Sequence, residues 1–122
     1  MDDATSGHHL LLVEDDDGAR KSLAALLRLD GWTVSTAADG IDALTQLTAD
    51  KSIDIIVTDY MMPRLNGLEV IERIRSNPEF PRASVVLVSA ADLPQELRRQ
   101  ADAFLSKPLD AQAFKRTLLR LV

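Results

Sequence analysis

The sequence predicts an α/β domain in which five parallel strands alternate with five helices, (βα)5, as a doubly wound sheet covered on both faces. Three observations carry that expectation. Short continuous apolar runs recur five times, as strands buried on both faces would. Each run is followed by apolar residues at helical spacing, and the connections are short, which implies parallel strands with helical crossovers. The chain has 122 residues, whereas a closed barrel of such units needs about twice that length.

In chain order, residues 1–7 are small and polar and read as a flexible leader, and residues 8–122 as one domain. His8 and His9 follow the leader with no third ligand nearby, so no metal role is assigned to them. Leu10-Leu11-Leu12-Val13 is the first strand. Residues 18–29 set Ala19, Leu23, Leu26 and Leu27 on one helical face, and Gly31 ends that helix. Trp32 to Thr36 is the second strand, with Trp32 structural. Ile41, Leu44 and Leu47 mark the second helix, and Ile53 to Thr58 is a third strand rich in β-branched residues.

Leu68, Ile71 and Ile74 mark a third helix, stopped by Asn77-Pro78 and Pro81. Val85 to Val88 is the fourth strand. Asp92-Leu93-Pro94-Gln95 has the form of a helix start, with Leu93, Leu97 and Ala101 along one stripe. Ala103-Phe104-Leu105 is a short fifth strand, and Ala111, Phe114, Leu118 and Leu121 line the final helix. Asp16 and Asp17 are read as capping the first helix rather than as metal ligands. Arg98-Arg99 and Arg116 are read as solvated faces.

Composition narrows the function. Fourteen basic and 19 acidic side chains leave a formal net charge of −5, which gives no electrostatic support for nucleic-acid binding. No cysteine is present, so there is no disulfide scaffold, thiol nucleophile or Cys-ligated zinc. No apolar run approaches the roughly 20 residues of a membrane span, and the first residues lack the positive n-region of a signal peptide. A cytoplasmic domain without a membrane partner is the expectation. At this length it can bury roughly two-thirds of its unfolded surface in one core.

The polar residues that end the strands carry the functional argument. The first strand ends in Glu14-Asp15, the third in Asp59, the fourth in Ser89 and the fifth in Ser106-Lys107. In a doubly wound sheet all carboxyl ends point to one edge, where ligands bind. Three carboxylates, a hydroxyl and an ammonium therefore converge on one crevice. Carboxylates so crowded repel one another unless a cation neutralises them. An all-oxygen set without His or Cys favours a hard ion, Mg2+ above softer metals. Lys and Ser facing that ion suit a phosphoryl group, and a carboxylate can be the nucleophile that accepts one. Asp59 stands alone at the end of a central strand and is the best acceptor, while Glu14 and Asp15 come paired, as metal ligands would. The sequence lacks GxxxxGK[ST], GxGxxG and GxSxG, which removes the usual support for nucleotide-binding and serine-hydrolase readings.

Four segments together resemble the receiver domain of two-component response regulators. They are Leu11-Leu12-Val13-Glu14-Asp15-Asp16, Ile56 to Pro63 continuing to Asn66-Gly67, Val86-Leu87-Val88-Ser89-Ala90, and Phe104-Leu105-Ser106-Lys107-Pro108. The resemblance covers residues 8–122 and implies the flavodoxin-like strand order 2-1-3-4-5. It implies that Asp59 is the phospho-acceptor and that Glu14, Asp15, Asp59 and the backbone carbonyl of Met61 hold Mg2+. It implies that Lys107 pairs with the phosphoryl group, that Ser89 closes on it, and that Phe104 is the switch aromatic. The Lys107-Pro108 bond is expected to be cis, which X-Pro bonds adopt at low cost. The implied mechanism is phosphoryl transfer from a phosphohistidine of a sensor histidine kinase or histidine phosphotransfer protein. The surface of the fourth helix and fifth strand then shifts population toward a form read by an unknown downstream protein.

The sequence departs from the family pattern in three places. Ser89 and Lys107 are only 18 positions apart, about one helical turn fewer than expected, and Gln100 stands where a glycine is common. Both fall on the face many relatives use to dimerise, so a monomer or weak dimer is expected. Met61 and Ala91, two positions beyond Asp59 and Ser89, offer no side chain to orient water, which predicts slow loss of the phosphoryl group. Three readings stand: a phosphorylated receiver that is not a turnover enzyme, a degenerate receiver acting as a constitutive interaction module, and a Mg2+-dependent phosphatase. Met61 stands where the phosphatase would want its acid/base carboxylate.

Overall fold

A computed structural model of the chain describes residues 7–80 and 82–122. The elements alternate throughout: β1 (His9–Val13), α1 (Asp17–Leu29), β2 (Thr33–Ala37), α2 (Gly40–Ala49), β3 (Ile55–Asp59), α3 (Gly67–Ser76), β4 (Ser84–Ser89), α4 (Gln95–Arg98), β5 (Ala103–Ser106) and α5 (Ala111–Leu121). The five strands form one sheet in the order β2-β1-β3-β4-β5, and every pair is parallel. The expected fold class and strand order are observed. Apart from Gly7, the expected leader over residues 1–7 lies outside the described residues, as does Pro81.

The continuous apolar runs follow from burial on both faces. Alternate side chains of one strand enter opposite layers, so neither layer leaves room for polar residues. Leu11, Val13, Ile56, Val85 and Leu87 pack with Ala43 and Leu47 of α2 and Val70, Ile71 and Ile74 of α3. Leu10, Leu12, Ile55, Val57, Val86 and Val88 pack with Ala24 and Leu27 of α1, Trp32, and Phe114 and Leu118 of α5. Each such side chain contributes about 1.5–3 kcal/mol by leaving water.

Short polar side chains start four of the helices. Asp16 accepts from the Ala19 amide at 2.7 Å, Asp39 from Asp42 at 2.8 Å, and Asp110 from Gln112 at 3.1 Å. Asn66 and Glu69 form a reciprocal capping box on α3, each bond 2.9 Å long. The capping role expected of Asp16 is thus observed. Past the end of α1, Gly31 takes φ +99°, where a residue without Cβ fits at no steric cost.

Several boundaries and faces differ from expectation. β2 begins at Thr33 rather than Trp32, and β3 at Ile55 rather than Ile53, although Trp32 and Ile53 are both buried. On α1 the sheet-facing positions are Ala24 and Leu27, while Leu26 is 60% and Leu29 83% exposed and Ala19 is exposed. Leucines crowd this helix on more than one side, and packing against the sheet selects one stripe only. Leu23 packs at the edge of this core layer as expected, and Leu26 and Leu29 border a cavity of about 360 Å³ between α1 and α5. On α2 the same selection buries Ala43 and Leu47 and leaves Ile41 45% exposed.

The expected fourth helix shrinks to one turn, so Leu93 and Ala101 lie outside it. Pro94 stands at its N-cap with no side-chain cap bond, and none of its residues is buried.

Two glycines separate close approach from open space. A Cβ at Gly67 would lie 2.4 Å from the carbonyl oxygen of Asp59 and 2.7 Å from Leu87, whereas one at Gly18 would meet only Asp16, at 3.5 Å. Gly67→Ala is expected to destabilise the fold by about 1–3 kcal/mol through overpacking. Gly18→Ala is expected to stabilise it by roughly 0.5–1 kcal/mol. Urea titrations of both variants check this, and a neutral Gly67→Ala would contradict the packing described.

Candidate functional site

The parallel strands deliver their terminal residues to one edge. Asp59 is the last residue of β3, opposite Val88 of β4, and Ser89 is opposite Ser106 of β5. Backbone bonds fix the loops beyond. The Glu14 amide donates to Ala37 O at 3.1 Å, Tyr60 to Val88 O at 2.9 Å, Gly67 to Tyr60 O at 2.8 Å, and Lys107 to Ser89 O at 2.9 Å. The Lys107-Pro108 peptide is cis, as expected.

Within this frame the Lys107 ammonium lies 2.9 Å from Oδ1 of Asp59 and 3.6 Å from Oε1 of Glu14. Glu14 and Asp59 are both buried, at 7% exposure each, while Asp15 faces solvent. One oxygen from each of Glu14, Asp15 and Asp59 falls within a group whose members are all within 4.8 Å of one another. That donor set is wholly carboxylate oxygen, so it fits a hard divalent cation and offers no nitrogen or sulfur to a softer one. Glu14 is oriented by two further contacts. Its Oε2 accepts from the Asp16 amide at 3.0 Å, and the Arg20 guanidinium donates to its carbonyl at 2.9 Å.

The protonation pattern follows from these contacts. Burial, followed by the neighbouring Glu14 carboxyl, pushes Asp59 up to about 7, and the contact with Lys107 only partly opposes this. Burial also pulls Glu14 upward, but hydrogen bonds with Asp59 and the Asp16 amide, together with the Lys107 charge, hold it below its usual value. Lys107 is raised despite its burial, because Asp59 and Glu14 both favour its charged form. Once Asp59 loses its proton, two buried carboxylates face one ammonium and the cleft carries an excess of negative charge.

Ser89 is 3% exposed, and its Oγ accepts from the Ala91 amide at 2.9 Å. Met61 directs its side chain outward, at 69% exposure. Phe104 is half-buried, packed beside the layer containing α2 and α3. The structure therefore gathers Glu14, Asp15, Asp59 and Lys107 directly, with Ser89 on the adjoining strand end.

His8 and His9 lie away from this cleft. His9 meets Ser35 and Ser52, and His8 packs against Trp32. Sequence reasoning missed Arg20, whose signal was its position one turn into α1 with an aspartate three residues before it. It also missed Arg64, which at φ +70° pairs with Asp39 at 2.5 Å and ties the β3–α3 loop to the start of α2. Arg98, expected on a solvated face, instead lies over Phe104, its Cζ 4.6 Å from the ring centroid.

Comparison with known proteins gives a consistent picture. Residues 10–119 match the family model of the response regulator receiver domain. The chain is 32% identical over 118 residues to the two-component response regulator ORR3 of Oryza sativa subsp. indica, covering 93% of this chain and 90% of that protein. It is 39% identical over 119 residues to the response regulator MprA of Mycobacterium ulcerans, covering 91% of this chain but half of that relative's length.

Among solved structures, the response regulator TrrA of Thermotoga maritima with Mg2+-BeF superposes with a TM-score of 0.84 at 26% identity, over 94% of this chain and 99% of that one. TrrA in complex with the histidine kinase ThkA gives 0.83 at 26% identity, over 94% and 98%. No helix among the described residues is long and apolar enough to cross a membrane.

In the metal-free protein, Asp59→Asn is expected to raise stability by about 2 kcal/mol at pH 8, because it removes a charge the fold disfavours. Asp59 binds its proton more tightly when folded, so the gain is fullest above pH 7. It shrinks as pH falls toward the unfolded value near 3.8. Excess Mg2+ should stabilise the parent and narrow the gap. Thermal melts across pH check this, and a pH-independent difference would contradict it.

Proposed function

The chain belongs to the receiver-domain family of two-component response regulators, and on that premise we propose that it accepts a phosphoryl group on Asp59. The donor is a phosphohistidine on a sensor histidine kinase or histidine phosphotransfer protein. The observation that carries this reading is the Lys107 ammonium 2.9 Å from the Asp59 carboxylate, inside a cleft whose other carboxylates also lie within reach of one cation.

A carboxylate oxygen of Asp59 attacks phosphorus as the P–N bond to the donor imidazole breaks, so one P–O bond replaces one P–N bond. Lys107 stays charged throughout, since both carboxyls raise its proton affinity, and offers its ammonium to a phosphoryl oxygen. Glu14, Asp15, Asp59 and the Met61 carbonyl would hold Mg2+, which supplies charge neutralisation for the phosphoryl oxygens when bound.

Phosphorylation then recruits the Ser89 hydroxyl, which must leave the Ala91 amide to reach a phosphoryl oxygen. Phe104 turns into the space released, and the α4–β5 surface is presented to a downstream protein. This is a shift between two packings rather than a new fold. The domain acts in the cytoplasm, as a monomer or weak dimer, without direct contact to nucleic acid or membrane. It is not a turnover enzyme. The complex of ThkA with TrrA supports a kinase as partner.

Intact mass after incubation with acetyl phosphate tests the reading. A single Mg2+-dependent phosphoryl adduct is expected, absent from Asp59→Asn. No adduct would favour a constitutive interaction module, and consumption of the donor without an adduct would favour a phosphatase. With Met61 and Ala91 flanking the site, the adduct is expected to persist for minutes or longer in Mg2+. A half-life of seconds would show that some other group orients the attacking water.

A further inference from the structure

The attachment of α4 is unusual in its chemistry. Its four residues include none that is buried, and no side chain caps its start. The backbone bonds around it, from Pro94 O to Leu97 and Arg98, from Gln95 O to Arg99, and from Leu97 O to Gln100, stay within the segment. The turn itself adds no buried residue, and the core holds the segment through its flanks, Leu93 and Ala101.

The Arg98 side chain supplies a different kind of link. Its Nε donates to Leu93 O at 2.8 Å, and an NH2 group meets the Asp92 carboxylate. The guanidinium so held lies across the ring of Phe104, 4.6 Å from its centroid. That distance is well within the roughly 6 Å reach of a cation–π contact. The two hydrogen bonds hold the cation in place over the ring. Phe104 is opposite Leu87 in the β4–β5 register and is only partly buried, so the guanidinium covers a ring that the core does not enclose.

We infer that Arg98 is a positioning residue that clamps Phe104 in its present, half-buried place through the cation–π contact. This opposes the inward turn of the ring and ties that turn to release of α4. The inference rests on the reading of Phe104 as the switch aromatic. When the ring turns inward the guanidinium loses its platform on β5. Loosening of α4 and inward rotation of Phe104 are then one event, so the surface shown to a partner reports the state of Asp59.

The test uses the full chain and beryllofluoride with Mg2+ as the phosphoryl mimic, with binding followed by calorimetry. Arg98→Ala is expected to bind beryllofluoride about two- to fivefold more tightly than the parent, the size of one partly exposed cation–π contact. Arg98→Lys, which keeps the charge without the planar face, should fall between the two. In a Phe104→Leu background the Arg98→Ala change should leave affinity unaltered, which a merely structural role for Arg98 would not predict. Because α4 buries no residue, melting temperature should stay near that of the parent.

Unchanged or weaker binding by Arg98→Ala, with the parent binding normally, overturns this inference alone. The same tightening with and without Phe104 also overturns it, by placing the effect elsewhere. A parent that binds no beryllofluoride overturns the receiver reading and the clamp together.

Discussion

Two buried carboxyls facing one ammonium is the constraint on which the rest of the molecule depends. Glu14 and Asp59 cannot both carry full charge in this cleft without compensation, and Lys107 compensates only one. A buried excess of charge is tolerated only where the surrounding scaffold is rigid enough to hold it. That scaffold is the parallel sheet, whose central strands are apolar on both faces and closed to water. The stability invested in the two layers of core is what permits an electrostatically unfavourable cleft at their edge. A bound cation would relieve that crowding, since Glu14, Asp15 and Asp59 all lie within reach of one ion.

The loops around the cleft show how tightly this is set. Gly67 starts α3 with its Cα so close to the Asp59 peptide that no side chain fits between them. On the other side, Arg64 accepts a left-handed backbone that a non-glycine residue seldom adopts, and its guanidinium is tied to Asp39. The β3–α3 loop is thus gripped at both ends, by close packing and by an ion pair. Arg20 does the same for the β1–α1 loop, holding the carbonyl of Glu14.

Much of this was legible in the sequence because parallel topology is a strong rule. Once the apolar runs are recognised as strands buried on both faces, Glu14, Asp59, Ser89 and Lys107 must meet at one edge, whatever their separation along the chain. The faces of the helices were less legible. Leu23, Leu26, Leu27 and Leu29 satisfy more than one helical stripe, and only the position of the sheet selects Ala24 and Leu27. The extent of α4 was legible as a shortage of residues but not as a single uncapped turn, since Leu93 and Ala101 keep helical spacing with Leu97 although they lie outside the helix. Arg98 was read as solvated for a general reason. A lone arginine looks solvated in any sequence, and its aromatic partner lies on a strand that only folding brings beside it.

The lack of any buried residue in α4 bears on how such a protein can change over time. Substitutions at its exposed positions, Gln95 and Glu96, alter the outward face at little thermodynamic risk. Glu14, Asp59 and Ser89 in the cleft have no such freedom, because all three are buried. This chain can therefore vary its outer surface in one exposed turn without disturbing the cleft beneath.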